Sequence, residues 1–245
     1  MDEAADGAWR CGEVVLKPST DAVAASWLAG VLEHLRVEGI RIARPLRSSD
    51  GRWVVGGWTA QRLVAGRPAP RYREIVAAGD ALHASLAALP RPRFLADRTD
   101  LYAWADALSW GEADDADRLG DGHGARLFAE LAGARREVSA AGQLVHGDLF
   151  GNVLFAGAAP PAVVDIVPFW RPPGWATAVV VVDAVTWGDA GPELLDDWSG
   201  LPEWEELLRR ALLFRLAVSL AHPRTTPGSL VAILTTAELI RPRLT

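Results

Sequence analysis

The spacing of apolar residues changes once along this chain, from short strand-like runs before residue 65 to helical periods after residue 72. Residues 8–17 read as a hairpin end followed by a strand that Pro18 closes. Ser19, Thr20 and Asp21 can each cap a helix start, and Val23, Trp27, Leu28, Val31, Leu32 and Leu35 then share one helical stripe. Further strands are predicted over residues 41–47, 52–55 and 58–64, the first two separated by the turn Ser48-Ser49-Asp50-Gly51. Ala65-Gly66-Arg67-Pro68 is a natural place to change lobe. Helices are expected over residues 73–89, 101–110, 125–141, 203–221 and 229–239, with a surface loop at 112–124. Short strands at 143–145 and 153–155 flank the loop 146–152 as a hairpin, and a strand over 162–166 carries Asp165. The expectation is α+β: a β-rich N-terminal lobe over 1–64 with one helix, and a helical lobe over 65–245.

Composition narrows the function classes. With 245 residues the chain has ample length for a core, and half of them are apolar. A net charge of −6 with no unopposed basic stripe argues against a nucleic-acid partner. The single cysteine, Cys11, fits a reducing compartment. The acidic start Met1–Asp6 is no signal peptide, and the longest apolar stretch, residues 176–182, is far short of the roughly 20 residues of a membrane helix. A cytoplasmic protein with no membrane partner is expected. The eleven tryptophans are read as fillers of core and loop junctions. The acidic run 112–124 is read as a solvated loop.

Lys17 is the only lysine and Asn152 the only asparagine. Lys17 ends the apolar run Val14-Val15-Leu16, where a compact point charge can grip a phosphate that a planar guanidinium fits differently. Asn152 follows Asp148 by four residues in His146-Gly147-Asp148-Leu149-Phe150-Gly151-Asn152, and Asp165 ends Val163-Val164-Asp165. A carboxylate in a strand-flanked loop can accept a proton from a hydroxyl, and amide and carboxylate oxygens suit a hard cation. Phosphoryl transfer needs these parts together: a base, an asparagine and an aspartate for Mg²⁺, and a lysine for the phosphates. No His or Cys pair has zinc-ligand spacing, and His146 is expected to bond backbone.

The string His146-Gly147-Asp148-Leu149-Phe150-Gly151-Asn152-Val153-Leu154-Phe155, followed by Val163-Val164-Asp165, resembles the aminoglycoside phosphotransferase family, relatives of the eukaryotic-type protein kinases. Residues 8–17 and 168–173 resemble an actinobacterial branch of that family. The resemblance implies a protein-kinase-like two-lobed fold, ATP (or GTP) and Mg²⁺ as cofactors, and a small-molecule hydroxyl as acceptor. By it Asp148 is the catalytic base, Asn152 and Asp165 the metal ligands, and Lys17 the nucleotide-phosphate lysine. Asp183 resembles the aspartate that braces the catalytic loop, and Gln61-Arg62-Leu63-Val64 the hinge that receives adenine. Three features depart from the pattern. The Asp-to-Asn spacing is one residue shorter than D-x-x-x-x-N, so the loop must tighten at Gly151. Only Asp6-Gly7 stands for the phosphate-covering glycine loop, which leaves no room for a first strand. Glu33, the one acid in the first helix, lies opposite its apolar stripe and is not assigned to Lys17. The alternative function is a pseudokinase, which binds nucleotide without turnover. The acceptor is left open.

Overall fold

Asp21 starts the first helix: its side chain accepts from the N–H groups of Val23 and Ala24 at 3.0 and 2.9 Å, satisfying two donors that have no partner inside the helix. That helix, α1 (Ala22–His34), packs against an antiparallel sheet in the computed structural model, which describes residues 2–3 and 7–244. The sheet runs β1 (Asp2–Glu3), β2 (Trp9–Cys11), β3 (Val14–Pro18), β7 (Trp58–Arg62) and β5 (Pro45–Leu46), with β6 (Val54–Val55) also on β7. A first strand therefore exists, as a two-residue stub pairing Asp2 with Arg10 and Glu3 with Trp9. The position expected for a glycine loop falls partly on residues 4–6, which lie outside the described residues.

The strand expected over 41–47 is divided between two sheets. β4 (Arg41–Ile42) pairs in parallel with β10 (Ala159–Val163), while Pro45 and Leu46 join β7. The change of sheet comes just before Pro45, which has no N–H for a continuous ladder. β4 thereby joins the N-terminal part to the segment that leads into Asp165.

The helical part consists of α2 (Tyr72–Leu86), α3 (Leu101–Trp110), α4 (His123–Gly133), α5 (Pro173–Trp187), α6 (Trp204–Ala221) and α7 (Pro227–Ile240). α5 was not among the expected helices. Its middle, Ala178 to Val182, is wholly buried, so it shows no amphipathic period. Around it Phe169, Trp175 and Phe214 meet edge to face with centroids 5.4–5.6 Å apart. α4 stops at Gly133 rather than continuing to residue 141. The chain beyond it is held instead by Glu203, which accepts from the N–H groups of Ser139 (2.8 Å) and Ala140 (3.0 Å). Among the described residues no helix is long and apolar enough to cross a membrane.

The expected hairpin around residues 146–152 is replaced by a different pairing. β8 (Gln143–His146) pairs antiparallel with β11 (Pro168–Arg171), and β9 (Val153–Ala156) pairs antiparallel with β10. The loop therefore crosses between two small sheets, and the return segment 164–167 crosses back beside it. Two crossings side by side bring Asp148, Asn152 and Asp165 to one place.

Candidate active site

The loop is anchored at both ends. Gly147 donates its N–H to the Val167 carbonyl at 3.0 Å, and a Cβ there would lie 2.3 Å from the Phe169 ring, so the close approach admits only glycine. Leu149 is buried against α2. Gly151 takes φ +83°, a left-handed turn that closes the shortened Asp-to-Asn span. Asn152 donates its side-chain N–H to the Asp148 carbonyl (2.7 Å) and to Asp148 Oδ2 (3.2 Å). That use of the amide nitrogen leaves the amide oxygen as the group for a cation.

His146 ties the two crossings together. Its Nδ1 accepts from the N–H groups of Asp148 (3.2 Å) and Val167 (3.4 Å), and its Nε2 lies 3.3 Å from the Val164 carbonyl. Two donors on Nδ1 require that nitrogen unprotonated, so Nε2 carries the hydrogen and donates to Val164. The ring is neutral, and burial lowers its pKa to about 4. His83 on α2 accepts from the His146 N–H at 3.0 Å, and burial lowers it to about 3. Both values lie below the ordinary 6.5, so on acidification the unfolded chain takes up these protons first. Stability is then lost as pH falls from about 6.5 towards 4. At pH 5 the loss is about 2 kcal/mol per histidine. Urea unfolding at pH 7 and pH 5 checks this, with His83→Gln expected to reduce the difference; equal midpoints would refute it.

Asp165 follows β10 with φ +52°, a left-handed conformation that a non-glycine residue adopts at a cost of about 1 kcal/mol. It is held by its neighbour Val164, whose N–H donates to the Asn152 carbonyl at 3.0 Å and whose carbonyl meets His146. The Asp165 carboxylate forms an ion pair with Lys17 on β3, 148 residues away in sequence. Glu33 faces elsewhere: Arg47 binds it in a two-pronged pair at 2.9 and 3.2 Å.

Asp183, on α5, is 1 % exposed, and among the described residues its side chain hydrogen-bonds only to Arg215. Arg215 of α6 stands between it and the loop. Its Nε donates to Asp183 Oδ1 at 2.7 Å, and its Nη2 donates both to Asp183 Oδ2 and to Asp148 Oδ1, the latter at 2.7 Å. Burial pushes Asp183 up to about 6 against the pull of Arg215, while Asp183 and Asp148 hold Arg215 protonated. The sequence reading missed Arg215. Its one available signal was an arginine at the centre of the apolar run Ala211-Leu212-Leu213-Phe214-Arg215-Leu216-Ala217.

Lys17, Asp148, Asn152 and Asp165 line one cavity of about 710 Å³. Among the described residues no three His, Cys, Asp or Glu side chains converge on a metal site. The donors present, the carboxylates of Asp148 and Asp165 and the Asn152 amide oxygen, suit a hard divalent cation that keeps waters and takes further oxygens from phosphates.

The family model described as the phosphotransferase enzyme family matches residues 7–166. No curated protein matches the chain. Among solved structures, the chain is similar to an aminoglycoside phosphotransferase from Alicyclobacillus acidocaldarius, at 17% identity and a TM-score of 0.62, covering 100% of this chain and 90% of that one. It is also similar to an amicoumacin kinase in complex with AMP-PNP and Ca²⁺, at 13% identity, TM-score 0.60, and 94% and 82% coverage. A spectinomycin phosphotransferase in complex with ADP and spectinomycin gives 10% identity, TM-score 0.57, and 93% and 84% coverage. At these identities the structural likeness is one of fold.

Proposed function

We propose a reaction for this chain from the fact that it belongs to the phosphotransferase enzyme family: as a small-molecule phosphotransferase it moves the γ-phosphoryl group of ATP to a hydroxyl, with Mg²⁺ as the metal. The observation that carries the reading is the single cavity shared by Lys17, Asp148, Asn152 and Asp165, drawn from separate segments of the chain. Lys17 grips the nucleotide phosphates from β3. Of the stretch 61–64, the N–H groups of Arg62 and Leu63 are taken by the carbonyls of Arg44 (2.7 Å) and Glu13 (2.8 Å), and the Val64 N–H would donate to adenine. Asn152 and Asp165 would hold Mg²⁺, which supplies charge neutralisation between the phosphates. Asp148 accepts the acceptor's hydroxyl proton as its oxygen bonds to phosphorus, and ADP leaves. Arg215 and Asn152 fix the Asp148 carboxylate, one at each oxygen. The neutral His146 keeps Asp148 and Asp165 in register without adding charge.

The Lys17–Asp165 pair must open to admit a metal-bound triphosphate, so metal and nucleotide bind together. ATP with Mg²⁺ should therefore raise the melting temperature more than either alone. At a hundredfold excess over Kd the gain is about 2.7 kcal/mol, a shift of roughly 5–10 °C for a chain of this size. Asp165→Ala should remove the Mg²⁺-dependent part and leave a smaller shift from adenine contacts. No shift beyond that of salt would defeat the nucleotide reading. A shift with no ATP consumed across hydroxyl acceptors would instead support the pseudokinase, a nucleotide-binding module without turnover.

A further inference from the structure

A second cavity of about 570 Å³ adjoins the phosphate cleft, walled chiefly by Pro70, Tyr72, Ile75, Phe150, Trp187 and Asp189. Phe150 and Gly151 line both cavities, and they lie between Asp148 and Asn152 in the loop. A molecule in the second cavity therefore rests on the same three-residue bridge that separates the base from the metal ligand.

The chemistry of this wall is aromatic. Tyr72 and Phe150 stack with centroids 6.3 Å apart and planes 22° apart, and the Tyr72 hydroxyl donates to the Gly188 carbonyl, which fixes the ring. Trp187, the last residue of α5, is 39 % exposed. Unlike the buried Trp175, it presents uncovered ring surface to the cavity rather than filling the core. Asp189 follows it, exposed, with φ +56° and no ion pair among the described residues.

Asp189 is also the only carboxylate that lines this cavity among the described residues. Nearby acids are already paired: Glu74 with Arg71, Asp197 with Arg73 at 2.7 Å, and Asp148 with Arg215. The acidic run does not contribute. Asp114, Asp117 and Asp121 line a different cavity, beside α3 and α4, that shares no residue with this one, and Glu112 is bound to Arg171 at 2.6 Å. A ligand with several ammonium groups would have to desolvate most of them against rings and prolines without a counter-charge. A ligand with one ammonium can place it at Asp189 and lay an apolar face on Trp187 and Phe150.

We propose that this cavity is the acceptor subsite and that it takes an alcohol with one aromatic or alicyclic face and at most one amine, rather than a polycationic aminosugar. The proposal rests on the phosphotransferase reading for the hydroxyl's orientation towards Asp148.

The test is calorimetric binding to the full chain with AMP-PNP and Mg²⁺, together with ADP release from ATP, using three probes. They are 2-amino-1-phenylethanol, the polyamine aminosugar kanamycin, and glucose. The aryl amino alcohol is expected to bind at least tenfold more tightly than the other two. Trp187→Ala should weaken it at least tenfold while the affinity for AMP-PNP stays the same, which also reports that the variant is folded. Asp189→Asn should erase its advantage over 1-phenylethanol, which lacks the amine. Tighter binding of kanamycin, or indifference to Trp187→Ala, overturns the proposal. If the aryl amino alcohol binds as expected and no ADP is released, the subsite stands and the transfer reading fails. If ADP is released with an acceptor whose affinity Trp187→Ala leaves unchanged, transfer stands and the subsite falls.

Discussion

Asp148→Asn is expected to slow phosphoryl transfer by roughly 10²–10⁴-fold, the contribution of a positioned base, with the fold and nucleotide affinity retained. Asparagine preserves the shape and keeps an oxygen for Arg215 Nη2. The bond from the Asn152 side chain to the backbone carbonyl at 2.7 Å does not involve the substituted group. Arg215 remains neutralised by Asp183, so no buried cation is stranded. The loss should therefore appear in kcat and not in the ATP-dependent melting shift. A variant that transfers at the parental rate would mean that Asp148 is not the base.

The second large effect is on stability. Arg215→Met removes the guanidinium from a side chain only 7 % exposed and leaves Asp183 as an uncompensated buried charge. Breaking such a pair from one side costs about 3–5 kcal/mol, which for this length is a fall in melting temperature of roughly 6–20 °C. The destabilisation relative to the parent should be smaller at pH 5 than at pH 8, because Asp183, already pushed up to about 6 by burial, can then take a proton. Adding Asp183→Leu replaces both charges with apolar groups and should recover much of the stability. Transfer should stay low in that double variant, because Asp148 still lacks the contact that orients Oδ1. Recovery of both stability and rate would reduce Arg215 to a structural role. An unchanged melting temperature in the single variant would show that the bridge carries no weight.

What could be read without the structure was local. Asp100 accepts from the N–H groups of Tyr102 and Ala103, and Gly111 turns left-handed at φ +74°, so α3 begins and ends where its own sequence says. Asp21 sets the start of α1 in the same way. The string from His146 to Asn152 was recognisable because its residues act on each other within one turn. Within it the Asp148 N–H donates to the His146 ring and the Asn152 side chain donates to Asp148, contacts of two and four positions along the chain.

What required the fold involves partners far apart. Nothing near Gln143 or Val153 states that these strands pair with β11 and β10 rather than with each other; that choice follows from which faces the core buries. α5 escaped the periodic reading because neighbours cover it on all sides, and a helix buried all round has no polar stripe to mark its turns. The acidic run looked like one feature, yet Glu112 belongs to a buried arginine and the aspartates to another cavity. Arg215 meets Asp183 at a separation of 32 residues and Asp148 at 67. Sequence by itself singled out Asp148, Asn152, Asp165 and Lys17 as candidates for base, metal ligands and phosphate grip. Only tertiary structure decided which of them share a cavity and which buried charge holds Asp148, because charge pairing in a low-dielectric interior depends on distance through space and not along the chain.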